Sequence, residues 1–245
     1  MPVNMKFDPH RISWTAEKVN RFWDFFSSRS SGLELSFSML KGSSLLRFLQ
    51  HHRVSLGDRV LDFGCGPGYL LEKLIGKGLT CTGLELSRET IEEARRRIGG
   101  HARLNKLLLL EGFPVPLPDD EFDSVFLNEI LEHVLDADLE VVSDEVRRLL
   151  KPGGVLIATV PNEEDLQAGE VICPDCGCVF HRVQHVRSWN AGDMTAFMSQ
   201  AGFEEMICQP AYLTDETLLS KARACAYRVL RMSLPNLIYI GRKPA

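Results

Sequence analysis

The chain has 245 residues, 44% of them hydrophobic and 25% charged, with a formal net charge of −5. That length and balance suit one well-buried domain with a small appendage and exclude a low-complexity or fibrous chain. The negative charge argues against a broad nucleic-acid surface, which needs clustered Lys and Arg, and apolar stretches such as Val155 to Val160 are too short to span a bilayer.

Met1 to His10 shows no basic start followed by an apolar core, so no signal peptide is predicted and a cytoplasmic protein is expected. The seven cysteines are then expected as thiols or metal ligands rather than disulfides. Residues 1–55 read as an N-terminal helical cap. Val19, Phe22, Trp23 and Phe26 stand at i, i+3, i+4 and i+7, and Leu45, Leu46 and Leu49 continue the theme. These aromatics are expected to form a core stripe, although a lid over a ligand site would carry the same spacing.

From residue 56 to the end, strand and helix signals alternate. Strands are predicted at Arg59–Phe63, Thr80–Glu85, Lys106–Leu110, Ser124–Asn128 and Val155–Val160, with helices near 69–76, 88–98 and 137–150. Within the second helix, Arg95, Arg96 and Arg97 follow Glu92 and Glu93 by about one turn, which predicts a paired, solvated face. The third closes on Lys151-Pro152-Gly153-Gly154, a turn sequence. A helix from Asn190 to Gly202, a strand near Phe203–Gln209, a helix over 215–232 and a strand at Leu237–Gly241 complete the pattern. The expected fold is α/β: a doubly wound, Rossmann-like sheet of seven mostly parallel strands with helices on both faces.

The chemistry concentrates at Asp62-Phe63-Gly64-Cys65-Gly66-Pro67-Gly68, where an apolar strand ends on an acid and breaks into three alternating glycines before a helix. Such bare backbone lets a ligand approach closely. A second acid, Glu85, ends the next strand, where a doubly wound sheet presents a carboxylate to ribose hydroxyls, so an adenosine-containing cofactor is expected. A dinucleotide site wants Gly-x-Gly-x-x-Gly, whereas the spacing here is Gly-x-Gly-x-Gly behind a carboxylate, which suits a cationic ligand better than a pyrophosphate.

These motifs, in this order over residues 55–160, resemble the class I S-adenosylmethionine-dependent methyltransferases. The resemblance implies that Asp62, Gly64, Cys65, Gly66 and Gly68 line the methionine and ribose end of the cofactor. It implies further that Glu85 and Leu86 hold the ribose, that Glu111 and Gly112 lie beside the adenine, and that Asn128 sits near the methionine group. Leu117 to Asp123 resembles the family's entry into its fourth strand. Alternatives are a nicotinamide-binding Rossmann protein and a cofactor-binding scaffold without chemistry of its own.

Two further clusters carry chemistry. Glu129, Glu132 and His133 stand at i, i+3 and i+4, so a helix there would project all three from one face, suited to a divalent ion or to His133 as general base. The run is similar to the metal site of ubiquinone-pathway O-methyltransferases and of small-RNA 2′-O-methyltransferases. After the fifth strand, an insertion over 161–190 carries Cys173-x2-Cys176-x4-His181-x3-His185, four ligands for a structural Zn²⁺, with Cys178 as a substitute for one histidine. A metal-free loop is the bland alternative. The expected reaction is O-methylation of a small metabolite or glycan precursor; an RNA or protein acceptor recognised by the zinc knuckle is the second reading.

Overall fold

The computed structural model describes residues 8–27, 36–214 and 233–245. In chain order it places β1 at His10–Arg11, α1 at Ala16–Ser27, α2 at Phe37–His51, β2 at Arg59–Phe63, α3 at Tyr69–Gly76, β3 at Thr80–Glu85, α4 at Arg88–Ile98, β4 at Leu104–Leu109 and β5 at Phe122–Asn128. There follow α5 at Leu139–Leu149, β6 at Leu150–Pro161, β7 at Glu170–Ile172, β8 at Cys178–His181, α6 at Ala191–Gln200, β9 at Glu204–Ala211 and β10 at Asn236–Arg242. The predicted 215–232 helix lies outside the described residues.

Seven strands form one sheet in the order β4-β3-β2-β5-β6-β10-β9. Its strands run parallel except β10, which is antiparallel to both neighbours. The strand period of two divides the core. Leu61 and Phe63 face one layer with Val142, Val146 and Leu149 of α5, while Val60 faces the other with Leu70, Leu71 and Leu74 of α3 and Leu45 and Leu49 of α2. Ser87 caps α4 by accepting the Thr90 N–H at 3.3 Å, and Asn190 caps α6 by accepting the Asp193 N–H at 2.9 Å. Among the described residues no helix is long and apolar enough to cross a membrane.

Because β3 and β4 lie on one side of β2, and β5 and β6 on the other, the strand order reverses between β2 and β5. The crevice of a doubly wound sheet opens at such a point, so the topology puts the glycine loop at its mouth.

Three expectations are corrected here. Val19, Phe22, Trp23 and Phe26 of α1 belong to neither core cluster; Phe22 stacks on Phe26 with ring centroids 5.9 Å apart. The fifth strand begins at Leu150, so Lys151 to Gly154 lies inside β6 rather than before it. The insertion is not structureless either: β7 and β8 form a hairpin, and β1 adds to it in parallel, giving a small sheet in the order β1-β8-β7. Its neck is pinned by a bridge between Asn162 and Trp189.

Candidate active site

The glycine loop leaves β2 with the N–H groups of Gly64 and Cys65 donating to Leu84 O at 2.7 and 2.9 Å. Gly64 sits at φ +80°, a left-handed conformation that favours glycine, and a Cβ there would meet the tip of the Ile130 side chain at 2.2 Å. Gly66, at φ +52°, faces open space instead, which leaves its backbone bare toward a ligand. Gly68 lies against Ala94 and Ile98, seating α3 on α4. Arg97 anchors the loop from α4, donating to Pro67 O at 3.0 Å and lying 3.8 Å from the Tyr69 ring centroid.

Glu85 is the loop's acceptor: Oε2 takes the Gly66 N–H and Oε1 the Ser87 N–H, both at 2.9 Å. Burial raises its pKa against the opposing pull of the Ser87 and Gly66 N–H groups. Asp62 lies behind the loop, 1% exposed, with Oδ2 unpartnered. Burial first, and the charge of Glu85 second, push its carboxyl well above the usual range.

A cavity of about 930 Å³ opens over this loop. Of the residues expected at the cofactor, Gly64, Cys65, Gly66, Glu85, Leu86, Glu111, Gly112 and Asn128 line it, whereas Asp62 and Gly68 do not. Its far wall comes from Val19, Trp23 and Phe26 of α1, the residues expected in the core, together with Lys41 of α2. The volume lies in the range of a ligand site that encloses its occupant.

Glu129, Glu132 and His133 line the same cavity, but not from a helix. Residues 131–133 form a turn, because Glu129 sits at φ +53°, which a right-handed helix cannot continue. A non-glycine residue held there is costly and recurs at functional sites. Oε1 of Glu129 and both carboxylate oxygens of Glu132 are buried without hydrogen-bond partners. Burial raises the pKa of Glu129 against the pull of Lys41; burial and then Glu129 push Glu132 well above its usual value. His133 is pushed down to about 3, by burial and then by His185, so its ring is neutral near pH 7. Its Nδ1 lies 3.4 Å from Gln184 O, its natural acceptor. A base with so low a pKa takes up protons poorly, which weighs against the expected general-base role.

The four expected zinc ligands do not come together. His181 and His185 stack with centroids 4.6 Å apart and meet Glu164, which pairs with His185 Nδ1 and lies 3.7 Å from His181 Nε2. Cys173 and Cys176 are in neither this group nor the second one, formed by Glu132, His133 and His185. The reason is the hairpin: extended chain rises about 3.3 Å per residue, so three steps of β8 carry His181 roughly 10 Å along the strand from Cys178. Gly169 makes room for the imidazole, since a Cβ there would fall 1.8 Å from His181 Nε2.

Lys41 lines the cavity, while Glu164 and Gln184 support its lining residues His185 and His133; the sequence marks none of the three, because no local pattern marks a residue whose partners lie far along the chain. The fully buried Gln184 accepts the Trp23 Nε1–H at 2.9 Å and donates to His133 O at 3.0 Å. Val186 N–H donates to Glu132 O at 2.9 Å and Arg187 to Leu131 O at 2.8 Å. The insertion thus straps the 129–135 turn. Gln184→Ala would leave buried groups on Trp23 and His133 unpaired, and is expected to lower stability by about 1–3 kcal/mol in urea unfolding. An unchanged midpoint would refute the bridge.

Residues 61–158 match the methyltransferase domain family. The chain is 33% identical over 149 residues, 60% of each protein, to a ubiquinone biosynthesis O-methyltransferase of Thiobacillus denitrificans. It therefore spans about 60% of the length of the curated relatives it matches. Among solved structures it resembles a chain of a complex that contains the Haloferax volcanii Trm112 methyltransferase activator, with TM-score 0.66 at 22% identity over 93% of this chain and 98% of that one. It also resembles the Burkholderia thailandensis 1,6-didemethyltoxoflavin-N1-methyltransferase bound to S-adenosylhomocysteine, with TM-score 0.63 at 18% identity over 97% and 94%.

Proposed function

We propose that this chain, whose residues 61–158 match the methyltransferase domain family, transfers the sulfonium methyl group of S-adenosylmethionine to a hydroxyl oxygen of a small metabolite or glycan precursor. The observation that carries the reading is the single cavity running from Gly66 and Glu85 to the Glu132–His133–His185 group. It offers a nucleoside cradle at one end and an acceptor chamber at the other.

In this reading the ribose hydroxyls meet Glu85, whose carboxylate has lone pairs beyond the two used by Gly66 and Ser87, and the methionine end lies along Gly64 and Gly66 toward Asn128. Methyl transfer is an in-line displacement, so positioning and exclusion of water supply much of the acceleration. Trp23, Val19 and Phe26 give the acceptor chamber an apolar wall, suited to the flat face of a ring, and Trp23 meets His133 edge-on at 4.9 Å. The acceptor hydroxyl would face the Glu132–His133–His185 side.

Those three side chains offer two imidazoles and a carboxylate, all within 4.8 Å of one another. With both Glu132 oxygens lacking partners, the set suits a divalent cation such as Mg²⁺, Mn²⁺ or Zn²⁺. When bound, such an ion would acidify the acceptor hydroxyl. The relative named as an O-methyltransferase supports oxygen as the methylated atom.

Calorimetry with S-adenosylmethionine and S-adenosylhomocysteine, followed by transfer of labelled methyl to a panel of phenols, catechols and sugar nucleotides, tests the proposal. Binding of both nucleosides and a labelled methyl ether are expected. Binding of a nicotinamide dinucleotide instead would overturn the cofactor assignment, and labelling only of RNA or protein would overturn the acceptor class.

A further inference from the structure

Each imidazole of the Glu132–His133–His185 group has one ring nitrogen already committed. His133 Nδ1 lies 3.4 Å from Gln184 O. A carbonyl oxygen only accepts, so Nδ1 carries the proton and Nε2 keeps its lone pair. That second nitrogen stands 3.9 Å from Glu132 Oε1. In His185 it is Nδ1 that meets Glu164 Oε2. An ionised carboxylate also only accepts, so this ring too is protonated at Nδ1 and keeps a lone pair on Nε2. The two ring centroids are 4.8 Å apart. Two lone pairs and the unpartnered Glu132 carboxylate are thus left for one ion. Ligands on a tetrahedral ion stand about 3.4 Å from one another, close to the separation seen between Glu132 and His133.

His181, the third imidazole in this corner, is committed the other way. Its Nδ1 accepts the His185 backbone N–H at 3.2 Å, so the neutral ring carries its proton on Nε2. That is the nitrogen facing Glu164 Oε1 at 3.7 Å. A metal ligand needs a lone pair there, and His181 presents a proton. The rival group of Glu164, His181 and His185 is therefore a carboxylate between two N–H groups rather than an ion's cage. His181 stacks on His185 with the rings 19° from parallel, which keeps both N–H groups on the one carboxylate. Glu164 reaches this place through a sharp turn after β6. Glu163 sits at φ +50°, and its N–H donates to Trp189 O at 2.8 Å.

On the basis of the divalent-cation reading above, we propose that Glu164 is a positioning residue for that site. By accepting the Nδ1–H of His185 it fixes the tautomer and tilt of the ring and leaves Nε2 to the ion, while His181 braces the carboxylate and does not touch the ion. Gln184 O does for His133 what Glu164 does for His185. Both partners come from the 161–190 insertion, which in this way sets the two imidazoles at the acceptor end of the cavity. Outer partners of this kind govern metal affinity, and losing one typically costs about 10–100-fold.

Long-range proton–nitrogen spectra of the histidine-labelled, metal-free chain at neutral pH read the tautomers directly. Nδ1–H is expected for His133 and His185, and Nε2–H for His181. Calorimetry with Co²⁺ and Zn²⁺ reads affinity. Glu132→Gln, which alters a ligand, should lose metal most. Glu164→Ala should weaken metal about 10–100-fold, and Glu164→Gln, whose amide oxygen still accepts, should recover part of that loss and keep His185 protonated at Nδ1. His181→Asn should cost less than Glu164→Ala. All of these variants should bind S-adenosylhomocysteine within about threefold of the native chain, which checks that they fold. His185 found protonated at Nε2, or Glu164→Ala holding metal as tightly as the native chain while Glu132→Gln does not, would overturn the role of Glu164 and leave the cation reading standing. Metal lost from His181→Asn but kept by Glu132→Gln would put the ion in the rival group and overturn the proposal. A native chain that takes up neither Co²⁺ nor Zn²⁺ would overturn both.

Discussion

Glu85→Ala is expected to weaken S-adenosylmethionine binding at least about 100-fold, roughly 2.7 kcal/mol. A hydrogen bond to a charged acceptor contributes about 1.5–3 kcal/mol, and the ribose offers two hydroxyls to this carboxylate. The substitution also removes the acceptor that Gly66 N–H and Ser87 N–H use, at 2.9 Å each, so the loop loses its clamp when the ligand loses its anchor. Glu85→Gln, which keeps one acceptor oxygen, should fall between the alanine variant and the native chain. Titration calorimetry reads the difference directly. An alanine variant that binds the nucleoside within about threefold of the native chain, under 0.7 kcal/mol, would remove Glu85 from the cofactor site.

The second large effect concerns stability and pH. The Asp62 carboxyl is raised by burial first and by Glu85 second, while in the unfolded chain it titrates near the ordinary value of about 3.9. Between the two values the native state keeps a proton that the unfolded state has lost. The stabilisation is therefore fully present below about pH 4 and is lost as pH rises through the folded value. Asp62→Asn cannot ionise, so it should gain on the native chain across that window, by about 1.4 kcal/mol for each unit of pKa elevation, and then hold a constant advantage. Urea unfolding of the ligand-free proteins from pH 4 to pH 8 measures this. A variant that is less stable than the native chain at pH 8, or whose advantage is the same at every pH, would show that Asp62 is ionised in the fold. Glu85→Ala should shrink the effect without abolishing it, because Glu85 is the lesser cause.

Much of the architecture was legible because its causes are local. Short apolar runs between turn signals marked β2, β3 and β5, and Asn190 marked a helix start within a residue or so. The alternation of strand and helix implied a doubly wound sheet, and the seven strands and their crevice followed from it. The glycine loop and Glu85 were legible for a related reason. A tight turn and a strand-end acid are tied to one place in such a sheet, so naming the residues locates them.

Spacing misled wherever a local period was projected onto chain that takes another form. Glu129, Glu132 and His133 do meet in one cavity, but through a turn set by the left-handed backbone of Glu129. The aromatic stripe of α1 has a helix period, and a period cannot say whether a face meets a core or a cavity; the structure turns Trp23 and Phe26 to the cavity. The cysteines and histidines of the insertion were read as one cluster because they are near in number, yet the β7–β8 hairpin is extended and holds its tip away from its base.

By itself, then, the order of residues determined the strands, a helix cap, the glycine loop and the acid at the end of β3, since each depends on neighbours within one turn or one strand. Only the tertiary structure decided that Glu164, Gln184 and His185 join residues 129–133, and that the sulfurs stand apart from the imidazoles. Those outcomes depend on where a hairpin some fifty residues along the chain folds back, held by Gln184 and Val186 to the 132–133 backbone, and contacts between distant segments leave no period in the sequence.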